Sequence, residues 1–469
     1  MKTLRTVVIG LGKLGMQLTT DVNNDNNLGI ELVCALDDDT NKHDYGLSSG
    51  YEVVDTTESL ENLIDKLDLD QVIIAITNAN QRFLNELVYR SLRREMRTIC
   101  LTSEHPSIYE SEYFNVPIVK KNLSKLQEFN TNKKINAKSN QNDTILVTGG
   151  AGYIGNHLVR DLLNSGYKVV VLDYLYFGSN GLEDLMNNKN LTFINGSIEN
   201  IRDIFKSIDN VKYVIALAAI VGDPACGIDA ENTMIINYES TKILVEACNY
   251  FGVEKLVFAS SCSVYGASYN GNFLNEDSDL NPVSLYARTR IFSENYIFDN
   301  AINYSPTVLR LSTVFGYSKR MRFDLVVNLF VIKALVEKKI EIFGGNQWRP
   351  FVHCQDVAKA FKYVIQTDES IVRNKIYNVG NENLNFTIDQ VGNIVKEILP
   401  DTEIINNGEI DDPRNYKVSF QKIENDLDYT TDFDITSGVK NIINEVTHNP
   451  NLKSYKDKIY SNYLTFKDL

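Results

Sequence analysis

A tyrosine one helical turn ahead of an arginine, Tyr286-Ala-Arg-Thr-Arg290, has the residue types and spacing for proton transfer. A phenol ordinarily titrates near pH ~10, so it serves as a base at neutral pH only with a cation beside it. Arg290 keeps such a cation on the same helix face, and Ser261 upstream adds a hydroxyl to the pair.

A ligand for that chemistry is implied by residues 144–155, Thr-Ile-Leu-Val-Thr-Gly-Gly-Ala-Gly-Tyr-Ile-Gly. A β-branched run stops at Gly149, Gly152 and Gly155, and an apolar helix pattern starting near Tyr153 follows at once. Glycines let the backbone approach a pyrophosphate, and the free N–H groups and dipole of the helix stabilise its charge. The next strand, Lys168-Val-Val-Val-Leu-Asp173, ends in a carboxylate suited to a ribose 2′-hydroxyl and hostile to a 2′-phosphate. A dinucleotide is expected, and NAD over NADP.

The elements that must position these residues form two blocks. With 469 residues, two domains are expected. Near the amino terminus a strand at 5–9 runs into Gly10-Leu-Gly12-Lys-Leu-Gly15, and a second at 30–36 ends at Asp37-Asp-Asp39. Strands at 71–76 and 97–101 flank a helix at 81–94, which predicts a Rossmann-like domain over residues 1–125. Residues 126–142 are almost entirely polar and without periodicity, the composition of a linker. From 143 to 469, strands at 168–172, 191–194, 213–217, 255–260 and 307–311 alternate with helices such as 233–251 and 285–298. The fold class is therefore α/β, two tandem doubly wound parallel sheets, with a smaller substrate lobe in the last ~120 residues.

Composition narrows the partners. A formal charge of −14 argues against nucleic acid or an anionic membrane surface. The six cysteines show no Cys-x-x-Cys pair and the five histidines no ligand-spaced cluster, so reduced thiols, no metal and a cytoplasmic location are expected. The amino terminus carries no signal-peptide pattern, and no apolar run is long enough to span a membrane.

Thr148-Gly-Gly-Ala-Gly-Tyr-Ile-Gly155, Leu217-Ala-Ala219, Ser260-Ser-Cys-Ser-Val-Tyr-Gly266, Tyr286-x-x-x-Arg290, Arg349-Pro-Phe-Val-His353 and Asp412-Pro-Arg414 together resemble the extended short-chain dehydrogenase/reductase family. Within it they look like the NAD-dependent nucleotide-sugar epimerases and dehydratases, over residues 143 to about 435. The resemblance implies Tyr286 as acid/base on a sugar hydroxyl, Ser261 as its partner on the same oxygen, and Arg290 where the family places lysine. It implies cofactor contacts at Gly149, Gly152, Tyr153, Ile154 and Gly155, at Asp173, and at Ser197 and Ile198 near the adenine. Leu217, Ala218 and Ala219 would floor the pocket and Asn237 would buttress it.

Arg349 and Arg414 would clamp the diphosphate of a nucleotide sugar, with Asn328 at its base or phosphate. Dehydratases of this family follow the serine with Asp-Glu, whereas Cys262 and Ser263 stand here, so dehydration is disfavoured. The expected activity is a nucleotide-sugar epimerase, working at C4 in surface polysaccharide or glycan precursor synthesis, as a homodimer. A 4-keto-sugar reductase and a weakly catalytic nucleotide-sugar-binding protein are the alternatives. The first block resembles the domain that precedes the catalytic domain in polysaccharide-biosynthesis sugar dehydratases, with a candidate nucleotide site at Gly10, Gly12, Gly15 and Asp37.

Overall fold

The computed structural model describes residues 3–11, 15, 16, 18, 19, 22, 30–39, 52–76, 87, 90, 91, 97–100, 143–266, 273–408 and 414–467. The linker expected at 126–142, Gly12, the Asp412-Pro413 turn and most of the helix expected at 81–94 lie outside the described residues. The chain divides into two compact units, Met1–Lys134 with Glu199–Arg202, and Ile135–Ile198 with Asp203–Leu469.

The first unit holds β1 (Leu4–Ile9), β2 (Ile30–Leu36), β3 (Glu52–Asp55), β4 (Gln71–Ile74) and β5 (Arg97–Cys100), all parallel and in the order β3-β2-β1-β4-β5. Apolar runs such as Val7, Val8, Ile9 and Ile73, Ile74 are fully buried, as strands covered on both faces require. A helix, α1 (Leu60–Leu67), leads into β4. After β1, Gly10 turns at φ +89°, and the Asp37 carboxylate accepts the N–H of Leu11 at 2.6 Å and of Asp39 at 2.9 Å.

In the second unit, β6 (Thr144–Thr148), β7 (Lys168–Asp173), β8 (Leu191–Asn195), β9 (Tyr213–Ala216), β10 (Lys255–Ser261), β11 (Ser305–Leu311) and β12 (Lys375–Val379) form a parallel sheet in the order β12-β11-β10-β9-β6-β7-β8. Strand order reverses at β6, which opens a crevice at its carboxyl end between β7 and β9. Helix α2 (Gly155–Asn164) starts there and buries Leu158, Val159 and Leu162 against the sheet. Helices α3 (Ser240–Phe251) and α4 (Leu285–Asp299) follow, α4 opening on Ser284, whose hydroxyl accepts the Ala287 N–H at 3.2 Å.

The last part of the chain is not wholly a separate lobe. Lys375–Val379 returns to the main sheet beside β11, and Val357, Phe361 and Val364 of α5 (Cys354–Gln366) join its core. Short strands of this kind show little periodicity, so their sheet membership is set by long-range pairing. A second core gathers Val327, Phe330, Val391, Val439 and Ile442 from Val326–Glu337, Ile388–Ile398 and Ile435–His448, so it draws on a helix ahead of the span expected for the smaller lobe. Among the described residues no helix is long and apolar enough to cross a membrane.

Candidate active site

The turn after β6 is built for close approach. Gly149 adopts φ +73°, its N–H donates to Leu172 O at 2.9 Å, and its carbonyl accepts the Gly152 N–H at 3.1 Å. A Cβ on Gly155 would fall 2.2 Å from that same carbonyl, and one on Gly149 2.8 Å from Ala218 N, so these positions admit no side chain. Gly149, Gly152, Tyr153, Ile154 and Gly155 line one pocket with Ser197, Ile198, Leu217, Ala218 and Ala219. The Tyr153 hydroxyl points away, donating to Gly316 O at 2.5 Å.

Asp173 ends β7 in the same pocket. Its carboxylate accepts the N–H of Ala151 and of Leu175, each at 2.9 Å, which fixes it against the glycine turn. Burial raises its pKa and the two backbone hydrogen bonds oppose the rise.

At the other end of the pocket stand Ser261, Tyr286 and Arg290. Three contacts align α4 with the end of β10. Arg290 Nη1 donates to Ala259 O at 3.3 Å, the Ser260 hydroxyl donates to Glu294, and Tyr286 lies near the Ser261 hydroxyl. Ser261 Oγ accepts from the Ser263 hydroxyl at 2.9 Å and the Ser263 N–H at 3.2 Å, leaving its own proton for a neighbour. Burial raises the Tyr286 pKa, and the Arg290 guanidinium, whose Cζ is 5.0 Å from the ring centroid, pulls it down. Arg290 is 3% exposed, and its Nε and Nη2 are buried without a hydrogen-bond partner. Unsatisfied donors of this kind in a ligand pocket fit the hydroxyls of a ribose.

Asn237 is fully enclosed rather than exposed to the pocket. It sits in a π-helical segment, Ile235–Glu239, between Ala230–Met234 and α3. Its Oδ1 accepts Ile220 N–H at 2.8 Å and its Nδ2 donates to Ile220 O at 2.9 Å, pinning the loop that carries residues 217–219. The extra residue of a π turn re-aims one side chain, and nothing in the residue pattern signals it.

The expected sugar-nucleotide residues fall elsewhere. Asn328 is fully buried, its Oδ1 accepting the Gly316 N–H at 3.0 Å and its Nδ2 donating to Tyr153 Oη at 2.9 Å and Arg322 O at 2.8 Å. Its amide is spent inside the fold, so it presents nothing to a ligand in this conformation. Arg349 and Arg414 meet each other, Arg349 Nη1 donating to Arg414 O, and neither lines the pocket just described. Arg414 pairs with Asp223 at 2.7 Å, and the other Asp223 oxygen accepts the Ser284 hydroxyl at 2.8 Å, which ties this cluster to the start of α4.

Cys262 and Cys226 are buried, and burial pushes both thiols up to about 12, the behaviour of apolar fillers. His353 is buried against Phe433 with ring centroids 3.9 Å apart, and burial lowers its pKa to about 3. Sequence reasoning missed Arg320, Phe177, Asn462 and Phe466, all of which line the pocket. The basic run Lys319-Arg320-Met321-Arg322 was the signal available for the first.

Residues 145–380 match the family model described as NAD dependent epimerase/dehydratase family. The chain is 31% identical to a putative UDP-glucose 4-epimerase of Methanocaldococcus jannaschii, over 65% of this chain and 99% of that protein. Among solved structures it resembles a UDP-glucuronic acid 4-epimerase from Bacillus cereus in complex with UDP-glucuronic acid and NAD, at 26% identity and TM-score 0.60. A UDP-glucose 4-epimerase from Thermotoga maritima with UDP-glucose is similar at 27% identity and TM-score 0.58. Each structural match covers 65% of this chain and 99% of the other.

Proposed function

The chain belongs to the NAD dependent epimerase/dehydratase family, and we propose that it is a nucleotide-sugar 4-epimerase that keeps its NAD through the cycle. The observation that carries this reading is one pocket running from the glycine turn to Ser261, Tyr286 and Arg290, with Asp173 at the cofactor end as the sole carboxylate among its lining residues. The glycine cradle and the unpartnered Arg290 donors suit that cofactor.

Bound NAD would supply the hydride acceptor and donor for the sugar carbon. Tyr286 takes the proton of the sugar hydroxyl and returns it after the face has changed, while Ser261 donates to the same oxygen. Arg290 favours the phenolate and holds ribose hydroxyls. Elimination of water needs a carboxylic acid and a carboxylate at the reacting carbons, and the positions after Ser261 hold a buried thiol and a hydroxyl. Arg349 and Arg414 are the cations proposed for the diphosphate, with Asp223 as the anion the substrate displaces from Arg414. The UDP-sugars named in the solved relatives favour a nucleoside diphosphate sugar.

The test is native mass spectrometry of the purified protein, then incubation with a panel of nucleoside diphosphate sugars without added cofactor. Carried NAD and a C4 epimer of unchanged mass are expected. Stoichiometric consumption of added NADH by a 4-keto sugar would move the reading to a reductase. Tight sugar-nucleotide binding without product would leave a binding protein.

A further inference from the structure

Arg320 is 5% exposed, lines the cofactor pocket, and has both Nε and Nη1 buried without a hydrogen-bond partner. Asp324 and Asp173 attract it without an ion pair to it among the described residues, Asp324 being paired with Arg322 at 2.9 Å. Its guanidinium stacks on Phe177, with Cζ 3.6 Å from the ring centroid, and Nη2 donates to Asn462 Oδ1 at 2.6 Å. Burial, reinforced by neighbouring Arg322, lowers its pKa to about 9. A desolvated cation fixed by stacking and one hydrogen bond, with two donors left over, is a half-made anion site.

Its location names the anion. Phe177 belongs to the loop after β7 and Val221 to the loop after β9, and the glycine turn follows β6, the strand between them. The carboxyl-terminal segment touches both flanking loops. Phe466 packs on Tyr176 and Phe177 at 5.3 and 5.9 Å between centroids, and Asn462 Nδ2 donates to Val221 O at 3.0 Å. Asn462 N–H also donates to Asp324 at 2.9 Å, fastening the segment beside Arg320. A chain joined to both flanks of the turn crosses the mouth of the crevice where a dinucleotide carries its phosphates.

We propose that Arg320 binds the cofactor pyrophosphate and that Asn462, on a strap formed by the carboxyl-terminal segment, positions it. This deepens the reading above, because a retained cofactor is what a reaction that takes and returns one hydride requires. A reductase must release its cofactor every turnover, and a strap would oppose that.

The test is titration calorimetry of ADP, adenosine and UDP into ligand-free full-length protein and its Arg320→Gln, Arg320→Lys and Asn462→Ala variants. Arg320→Gln weakens ADP roughly 10- to 100-fold and leaves adenosine within about twofold, since one charge-assisted phosphate contact is lost. Arg320→Lys falls between, and it gives the same readout if the glutamine variant does not fold. Asn462→Ala speeds NAD dissociation about tenfold or more in a chase with labelled NAD. Adenosine weakening in parallel with ADP, unchanged ADP binding, a loss confined to UDP, or an unchanged dissociation rate in Asn462→Ala overturns the assignment. Parent protein that binds neither ADP nor adenosine overturns the cofactor reading itself.

Discussion

Replacing Arg290 by methionine keeps much of the volume beneath Tyr286 and removes the cation that lowers its pKa. The guanidinium Cζ lies 5.0 Å from the ring centroid, and opposite unit charges about 5 to 7 Å apart at an effective dielectric of ~20 attract by roughly 2 to 3 kcal/mol. That energy is the loss in phenolate stabilisation, so turnover at neutral pH should fall roughly 10²-fold. The sign follows from the direction of the shift. The base is the deprotonated phenol, and removing a cause that lowers its pKa moves the acidic limb of the pH–rate profile to higher pH. Arg290→Lys restores a cation one turn away and should stay within roughly tenfold of the parent. Because Arg290 leaves Nε and Nη2 unsatisfied, the methionine variant should not melt at a markedly lower temperature without ligand. The assay is kcat against pH on the sugar nucleotide that the panel returns. An acidic limb unmoved in Arg290→Met, with Tyr286→Phe still active, would refute the base assignment for both residues.

Asp173→Asn should raise NADP affinity relative to NAD by tenfold or more, read by titration of both. Its pKa is raised in the fold, so the parent's discrimination should weaken as pH falls through that value. Gly155→Ala should destabilise by about 2 kcal/mol or more and abolish cofactor binding, because its Cβ meets the Gly149 carbonyl. At Gly152 the same atom is 3.1 Å away, so Gly152→Ala should be milder in a parallel melt. No hexose nucleotide should lose water, given Cys262 and Ser263 after Ser261; a 4-keto-6-deoxy product in the mass spectrum contradicts this. A fragment of residues 143–469 should fold and bind NAD alone, as the polar composition of residues 126–142 implies, and a cofactor-free or insoluble fragment contradicts it.

The legible parts of this chain were those fixed by local physics. Strand Lys168–Asp173 was legible from its β-branched run, helix Leu285–Asp299 from the alternation of helical with strand patterns, and Gly149 and Gly155 from the glycine spacing of a phosphate-binding turn. Tyr286, Arg290 and Ser261 were readable from type and spacing, and the pocket brings them together. What sequence hid was set at a distance. Arg320 meets Asn462 across 142 residues, and nothing near either signals the other. Asn328 has a plausible ligand's chemistry, yet its amide is consumed by Tyr153, Gly316 and Arg322. Strand Lys375–Val379 gains its identity from pairing with Ser305–Leu311, and Asn237 gains its aim from a π turn.

The most direct measurement is to incubate the full-length protein with a nucleoside diphosphate hexose deuterated at C4, in ordinary water and without added cofactor. The expected product is the C4 epimer with its deuterium kept and its mass unchanged, with no net NADH formed. Deuterium lost to solvent, a product lighter by one water, or NADH accumulating in step with product would contradict it.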